Sequence, residues 1–473
     1  MAPTPPTVAR DLPTDDEIRH LLDDQIDVQQ KSAGMVIGMI SPAGRRVVSH
    51  GSTSLPDGRP VDGDTAFELA SVTKVFTALL LTDMVAKGEA ALDDPVAKYL
   101  PAGVTVPTRK GRQITLVDLA THTSGLPPFP PDLPALDDPA APGYSVERLY
   151  SSLSAYQLTR DIGAEWEYGN FDMALLGHAL ARRAGTDYES LVRARITGPL
   201  GMSRTSTVET SLGRNVVVSH NSDLRPTPRL ALGALAPAGA MFSSANDLLT
   251  LLGACLGLVA SPLAGALQAM ARTRRPMRPP MLAMVRRYWR VMLQMAFSRR
   301  RQPRTPPRVF SRAEQALGWL ILGRGAGEIV GHDGAAPACA ASIAYDAAAR
   351  AGVVVLSNAG VMVSDIARHL LWRESPLARP RKEVTLAPAV LDRYVGDYQS
   401  SASPVFRVLR DDDRLFIRLP YIGSLPLRAE SEHDFYVPEL QFEFVFDWDA
   451  QGRVEEMLFA PGRGSPGLPL RRR

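Results

Sequence analysis

The sequence is poor in the residues that build disulfide frameworks and metal sites. Its 473 residues include two cysteines, Cys255 and Cys339, and two cysteines can form neither a disulfide framework nor a zinc knuckle. The eight histidines are scattered, and no His-x-x-x-His spacing occurs among them. We therefore expect no metal site and no cofactor.

The chain also lacks a strong charge imbalance and an apolar leader. A net charge of +3 implies no global attraction to nucleic acid, and 45% apolar with 22% charged residues is ordinary for a globular protein. Residues 1–30 contain prolines and acidic residues instead of the apolar run of a signal peptide. We expect a cytoplasmic protein without a nucleic-acid partner; export or peripheral membrane association stays open.

Lysine is scarce, with six in the chain, and one of them lies three residues after a serine in Ser71-Val72-Thr73-Lys74. An apolar helical pattern starts here, and helix positions i and i+3 share a face, so the Lys74 amine can reach the Ser71 hydroxyl. A buried lysine with a lowered pKa can activate such a serine as a nucleophile. Taken alone, the pair also fits an N-cap serine followed by an exposed lysine.

Two companion motifs follow in the chain. Tyr168-Gly169-Asn170 precedes a helical pattern and offers a phenol for proton transfer, if cations lower its pKa, and an amide for a substrate carbonyl. His332-Asp333-Gly334 precedes a predicted strand pair, and its glycine would let a substrate backbone approach closely. Each motif also has an ordinary structural interpretation: a buried tyrosine beside a turn, and an Asp-Gly hairpin turn.

With these motifs, the chain resembles the serine β-lactamase-related hydrolases of the class C type, which include D-Ala-D-Ala carboxypeptidases and esterases. The resemblance extends over roughly residues 15 to 375 and is supported by further strings: Leu92-Asp93-Asp94-Pro95-Val96, Thr121-His122-Thr123-Ser124-Gly125-Leu126-Pro127, Gly198-Pro199-Leu200-Gly201-Met202, Ala238-Gly239-Ala240-Met241-Phe242, Leu317-Gly318-Trp319 and Leu356-Ser357-Asn358. It implies an α+β fold in which N-terminal and late strands form one antiparallel sheet flanked by helices.

The resemblance also implies a role for each matching residue. Ser71 would be the acylated nucleophile, Lys74 would help to deprotonate it, and Tyr168 would pass a proton to the leaving group. Asn170 would position the substrate. The oxyanion hole would use the backbone N–H groups of Ser71 and of Ala335, which follows Gly334.

His332 departs from the family pattern, since it stands where β-lactamases carry a lysine. A lysine is a permanent cation that suits a substrate carboxylate, whereas a histidine is neutral much of the time near pH 7. The resemblance associates this histidine with esterases, peptidases and acyl-transfer enzymes. His122 is also a candidate base, although a structural histidine that holds the turn before Pro127 is the preferred interpretation.

The expected activity is hydrolysis of a small-molecule or peptide substrate through an acyl-enzyme at Ser71. Simple esters, D-amino-acid peptides and β-lactams are all admissible substrates. One alternative is acyl transfer, in which an amine or alcohol replaces water in the second step. Another is a sensor that is acylated without turnover.

Residues 272–312 form an Arg-rich insertion with thirteen arginines and no acidic residue. Its pattern predicts a basic amphipathic helix, which we interpret first as a lid or insertion and second as a contact with an anionic membrane surface. The apolar run from Leu248 to Met270 is long enough to span a bilayer. It contains Pro262 and several glycines, which favour packed helices instead.

The tail changes character after a Pro- and Arg-rich linker at residues 376–382. Short alternating segments such as Phe406-Arg407-Val408-Leu409-Arg410 and Phe442-Glu443-Phe444-Val445-Phe446 predict a small β-sandwich or barrel. This segment resembles the lipocalin-like domain of many relatives. We therefore expect a hydrolase domain at residues 1–382 and a β domain at 383–473 that packs near the active-site mouth or mediates oligomerisation.

Overall fold

The structure is a computed structural model. It describes residues 12–134, 136, 143–277, 312–324, 327–400, 405–419, 422–449, 451–460 and 467–473. The expected basic amphipathic helix falls within residues 278–311 and lies outside the described residues.

An eight-stranded antiparallel sheet forms the centre of the first domain, with the order β2-β1-β10-β9-β8-β7-β6-β5. The first strand pairs with the last strand of the sheet in sequence, Met35 opposite Ser357, so the N-terminal and late segments join in one sheet, as predicted. The strand bounds are β1 Gly34–Ser41, β2 Gly44–Gly51, β5 Arg274–Pro276, β6 Arg312–Ala316, β7 Leu320–Arg324, β8 Gly327–Ala336, β9 Cys339–Asp346 and β10 Ala351–Ser357; a separate pair is formed by β3 Phe67–Glu68 and β4 Phe242–Ser243.

Helices cover both faces of this sheet. Their bounds are α1 Asp15–Asp23, α2 Thr73–Ala86, α3 Leu116–Ala120, α4 Val146–Ala155, α5 Asn170–Ala184, α6 Tyr188–Val192, α7 Gly198–Leu200, α8 Ala236–Gly239, α9 Ala245–Cys255, α10 Ala264–Arg272 and α11 Ser364–Leu371. Strand β1 alternates between the two cores, since Met35 and Ile37 belong to the apolar cluster that includes residues of α1 and α11, whereas Val36 belongs to the cluster that includes residues of α9. Burial on both faces explains why the central strands β1, β9 and β10 are almost continuously apolar.

The helix ends carry sequence signals that are typical of them. Thr14 caps α1 with a capping box that it shares with Glu17, and a π-helical turn at Asp24–Val28 follows this helix. Gly88 follows α2 with φ of 72°, a conformation that ends helices at glycine.

The apolar run from Leu248 to Met270 divides between two helices, α9 and α10, which agrees with the packed-helix interpretation. Over the described ranges, no helix is both long and apolar enough to cross a membrane.

The tail forms a closed barrel of eight antiparallel strands. A short helix, α12 Pro388–Leu391, precedes it, and the strands are β11 Gly396–Gln399, β12 Phe406–Asp411, β13 Arg414–Leu419, β14 Gly423–Ala429, β15 Asp434–Val437, β16 Phe442–Trp448, β17 Val454–Ala460 and β18 Leu468–Arg472. The β-sandwich alternative is therefore excluded. The expected division at residue 382 stays a prediction.

Candidate active site

The turn that carries Ser71 is held between the β3–β4 pair and the start of α2. The Leu69 N–H donates to the Met241 carbonyl at 2.8 Å, and residues Ala70–Val72 form a 3₁₀ turn that leads into the helix. Ala70 has φ of 44°, a left-handed conformation that is uncommon for a residue with a Cβ and costs about 1–2 kcal/mol. This strained residue directly precedes the serine, so its conformation sets the position of the Ser71 hydroxyl and N–H.

Lys74 lies fully buried beneath this serine. Its Nζ is 3.0 Å from Ser71 Oγ, 2.7 Å from Asn170 Oδ1 and 2.7 Å from the Ala238 carbonyl oxygen. Among the described residues, no carboxylate lies within ion-pair distance of this amine. Burial without a counter-charge lowers the pKa of Lys74 well below its ordinary value of 10.5.

The hydrogen-bond geometry around Lys74 suits a neutral amine. A neutral amine has two N–H donors and one lone pair. The Asn170 and Ala238 oxygens can only accept, so they use the two donors and leave the lone pair for the Ser71 hydroxyl. The arrangement can therefore remove the serine proton, which is the chemistry that the Ser-x-x-Lys spacing predicts.

Tyr168 lies beside the same amine, with Lys74 Nζ 4.8 Å from its ring centroid. Burial raises the pKa of the Tyr168 phenol, and a hydrogen bond with the Ser71 side chain opposes this only in part. The Tyr-x-Asn motif predicts proton transfer by the phenol if cations lower its pKa, and this condition is not met because burial has the largest effect. Tyr168 therefore keeps its proton and can donate it, while the role of base falls to Lys74.

The ring of His122 packs against the ring of Tyr168. Its ring centroid is 4.8 Å from that of Tyr168, and its Nδ1 accepts the Gly169 N–H at 3.3 Å. Asp172 Oδ2 lies 3.4 Å from the same Nδ1. These contacts agree with a structural role for His122. The residue that it holds in place is Tyr168, whereas the expected one was the turn before Pro127.

Burial fixes both of these groups in their neutral forms. It lowers the pKa of His122 to about 3, with a smaller contribution from Lys74, and raises the pKa of Asp172 well above its ordinary range. A protonated Asp172 can donate to His122 Nδ1, whose one lone pair is then shared with the Gly169 N–H, while the other carboxyl oxygen accepts from Ser124 Oγ at 2.5 Å.

His332 lies within strand β8, not in a surface turn, and is 2% exposed. Its ring centroid is 6.2 Å from that of Tyr168, so the structure brings it to the Ser71 cluster. Its Nδ1 donates to the Asp333 carbonyl at 2.7 Å. Burial, followed by the Lys74 charge, lowers the pKa of His332 to about 3, and the ring is therefore neutral near pH 7.

Because Gly334 has no side chain, strand β8 packs closely against the turn that carries Ser71. A Cβ added at Gly334 would collide with the Leu69 carbonyl oxygen and would come within 3.1 Å of the Ser71 nitrogen. Beyond Gly331, which pairs with Leu320 of β7, the described part of β8 pairs only with β9. Ala335 lies on the part of β8 that has no pairing to β7 in the described strands. The Ser71 and Ala335 N–H groups, which are the expected oxyanion donors, therefore belong to segments that pack against each other.

Two contributors to the site carry no recognisable sequence signal. The Ala238 carbonyl that holds Lys74 lies in a string noted for family resemblance, yet a backbone acceptor has no residue signature. Glu68 is buried three residues before Ser71, 3.6 Å from Arg229 Nε, and is also hydrogen-bonded to Cys339. Only the tertiary fold brings Arg229 and Cys339 to this glutamate.

One group of side chains in the described residues has the proximity that a metal ion would need, and it consists of Asp23, Asp27 and His50. It lies on α1, the π-helical turn and β2. His50 Nε2 is 2.9 Å from Asp27 Oδ2, so this polar contact accounts for the grouping without an ion.

Comparison with known proteins is consistent with this geometry. The sequence model of the Beta-lactamase family matches residues 15–374, which is more than half of the chain. The chain belongs to the Beta-lactamase family. The α+β sheet architecture of this chain agrees with the expected fold. The hydrolytic activities of the family's members agree with the expected type of reaction.

Two curated relatives show the range of activities around this family member. It is 36% identical over 183 residues to the D-alanyl-D-alanine-carboxypeptidase/endopeptidase AmpH of Escherichia coli (strain K12), a match that covers 39% of this chain and 47% of that protein. It is 31% identical over 178 residues to Esterase EstB of Burkholderia gladioli, covering 36% and 45% respectively. The chain thus spans about half the length of the curated relatives that it matches.

A solved structure has the same fold. The class C beta lactamase from Rhodobacter sphaeroides superimposes with a TM-score of 0.56 at 24% identity, covering 72% of this chain and 93% of that one. This likeness concerns the fold of the Beta-lactamase family domain alone.

Proposed function

We propose that this protein is a serine hydrolase that forms an acyl-enzyme at Ser71 from an ester or amide substrate. The observation that carries the proposal is the buried Lys74 amine, 3.0 Å from Ser71 Oγ, with its two donors used by Asn170 and Ala238. The names of the two relatives, a carboxypeptidase/endopeptidase and an esterase, support a hydrolytic reaction in which a carbonyl carbon is attacked.

In the first step, the Lys74 lone pair takes the Ser71 proton while Oγ forms a bond to the substrate carbonyl carbon. The carbonyl oxygen becomes an oxyanion, and the Ser71 and Ala335 N–H groups are the donors proposed to stabilise it; losing one such donor typically costs about 10²–10³ in rate. The bond to the leaving group then breaks. Tyr168 donates its proton to that group and is reprotonated by Lys74.

In the second step, the oxygen of a water molecule bonds to the carbonyl carbon of the ester at Ser71 while Lys74 accepts a proton from that water. The bond between this carbon and Ser71 Oγ then breaks, Lys74 passes the proton to Oγ, and the acid is released. Asn170 has a further role in both steps. Because its Oδ1 accepts from Lys74, its amide nitrogen is oriented to donate to the substrate.

Intact-mass analysis after treatment with a fluorophosphonate tests the nucleophile. We expect one adduct on the wild-type protein and none on Ser71→Ala. Lys74→Met should slow labelling by about 10²–10⁴, the usual contribution of a positioned base. A labelled Ser71→Ala protein would refute Ser71 as the nucleophile.

The matched control is Lys87→Met. Lys87 follows the last residue of the same helix, its side chain is 45% exposed, and it pairs with Asp83. We expect labelling at the wild-type rate for this variant. Equal rates for Lys74→Met and Lys87→Met would refute Lys74 as the base.

A further inference from the structure

The hydroxyl of Thr73 connects two segments of the active site. Thr73 lies two residues after Ser71 and is fully buried. Its Oγ1 is 2.6 Å from the Ala70 carbonyl oxygen and 3.0 Å from the Met241 nitrogen. A carbonyl can only accept and a backbone N–H can only donate, so the Thr73 hydroxyl donates to Ala70 and accepts from Met241. Both hydrogen bonds therefore have a defined direction.

The hydrogen bond to Ala70 acts on the peptide that contains the Ser71 N–H. The Ala70 carbonyl and the Ser71 N–H belong to one planar trans peptide and point in opposite directions. A hydrogen bond that fixes the carbonyl therefore also fixes the direction of this N–H. The backbone alone holds the carbonyl less firmly, because the Thr73 N–H is shared between the carbonyls of Ala70 and Ser71. The Thr73 hydroxyl supplies a second donor.

Ala70 needs this restraint because its backbone is strained. Its φ of 44° lies in the left-handed region, and such a conformation persists only where several contacts determine it. Met241 supplies a further restraint, since its N–H donates to the Thr73 hydroxyl and its carbonyl accepts the Leu69 N–H at 2.8 Å. Without the Thr73 hydroxyl, Ala70 can relax toward negative φ, and the peptide that carries the Ser71 N–H then rotates.

We infer that Thr73 is a positioning residue that aims the Ser71 N–H at the oxyanion formed from the substrate carbonyl. This inference rests on the proposed function, in which the Ser71 and Ala335 N–H groups stabilise that oxyanion. Thr73 acts through the peptide between Ala70 and Ser71. Because its one hydroxyl proton is donated to the Ala70 carbonyl, the side chain takes no part in the proton transfers themselves.

Thr73→Val tests the inference, because valine has nearly the shape of threonine and lacks its donor and its acceptor. The substrates are phenyl acetate and phenyl thionoacetate, in which sulfur replaces the carbonyl oxygen and accepts hydrogen bonds only weakly. We expect kcat/KM for the ester to fall by at least about tenfold, and the ester-to-thionoester ratio by at least about threefold, within the 10²–10³ that a lost oxyanion donor costs. A merely structural disturbance would lower both values equally, and the unchanged ratio would overturn the inference.

Two control variants separate the hydrogen bonds of Thr73 from its packing. Thr73→Ser keeps the hydroxyl and should restore both kcat/KM and the ester-to-thionoester ratio. Thr82→Val makes the same chemical change at another buried threonine of α2, whose Oγ1 donates to the Leu79 carbonyl of its own helix at 3.1 Å. We expect wild-type values for this variant. A Thr73→Ser protein that behaves like Thr73→Val, or a Thr82→Val protein with the same losses, would contradict the assigned role.

If Thr73→Val does not fold, Thr73→Cys decides, since a thiol is only a weak donor and acceptor. Its ester-to-thionoester ratio should fall in the same direction, and a wild-type ratio would overturn the inference.

Failure of this inference is distinguishable from failure of the proposed function. If fluorophosphonate does not label Ser71 of the wild-type protein, the proposed function is wrong. Because the phosphonyl oxygen meets the same N–H donors, we expect Thr73→Val to slow this labelling as well. If Ser71 is labelled at the same rate in both proteins, the nucleophile stands and the role of Thr73 is wrong.

Discussion

At the scale of single residues, burial decides the protonation states around Ser71. The pKa values of Lys74, His122 and His332 are lowered because each would lose its hydration when charged, and the pKa of Tyr168 is raised for the same reason. The two histidines and Tyr168 are therefore neutral near pH 7, and the lowered pKa of Lys74 favours the neutral amine that can accept the Ser71 proton.

Glu68, on strand β3, is another group whose pKa is shifted by burial, and it predicts how the free energy of unfolding depends on pH. Burial raises its pKa to about 7, against an ordinary value of 4.5, and Arg229 opposes the shift. The folded state therefore binds more protons than the unfolded state between about pH 4.5 and pH 7. The free energy of unfolding should fall as pH rises through this window, by up to about 3 kcal/mol from this residue.

Glu68→Gln removes this titration and should flatten the dependence. We expect urea unfolding between about pH 5 and pH 8 to lose less stability in this variant than in the wild type, with the difference bounded by the about 3 kcal/mol above. Glu209→Gln is the matched control, because it removes a more exposed carboxylate from the same Arg229. A variant that retains the wild-type slope would contradict the assignment.

At the scale of elements, the sequence predicts what depends on neighbours along the chain. The Ser71–Lys74 contact follows from i, i+3 spacing. What it cannot predict depends on distant segments. The Ala238 carbonyl on Lys74, the Asp172 carboxyl on His122 and the burial that raises the Tyr168 pKa all come from packing between elements.

Gly334 shows how one such contact is built. Strand β8 lies so close to the turn before Ser71 that a side chain at Gly334 would collide with it. The backbone of Gly334 is not in the left-handed region that requires glycine, so a substitution there adds no backbone strain. Gly334→Ala therefore tests the collision with the Leu69 carbonyl alone. We expect the variant to displace the Ser71 N–H and to lower kcat/KM by about 10²–10³, the usual cost of one oxyanion donor.

Gly143→Ala is the control for this variant. A Cβ at Gly143 meets no atom within 4 Å, so kcat/KM and the melting temperature should stay at wild-type values. If Gly334→Ala is folded and fully active, β8 is not packed against the nucleophile turn as closely as the structure has it.

At the scale of the whole molecule, the C-terminal barrel has a filled interior. The side chains of Tyr394, Tyr398, Phe435, Phe444 and Phe446 are at most 2% exposed and pack on one another inside the described strands. An eight-stranded barrel is just wide enough for side chains to fill it. The resemblance to lipocalin-like domains therefore concerns the strand arrangement, and the barrel interior is a packed core.

The barrel is joined to the hydrolase domain through Ser222 and Asp223. Asp223 accepts from Arg414 at 2.8 Å and from Arg428 at 2.7 Å, both on barrel strands. The fully buried Glu439 accepts the Ser222 N–H at 3.3 Å. Whether this contact also shapes the active-site mouth, as expected from the sequence, stays a prediction.

Because two barrel arginines donate to one carboxylate, Asp223→Asn should loosen this contact. Losing two charge-assisted hydrogen bonds at a partly buried site corresponds to about 1–2 kcal/mol, or about five- to thirtyfold in the population of undocked molecules. We expect faster trypsin cleavage at Arg381 and Lys382 in the connecting segment of this variant, because a segment between undocked domains is more accessible than one between docked domains. Asp397→Asn is the control, because Asp397 pairs with Arg407 within the barrel and should leave cleavage at the wild-type rate. Equal cleavage of the two variants would mean that the Asp223 ion pairs contribute nothing to holding the domains together, and that the apolar and backbone contacts of the interface are sufficient.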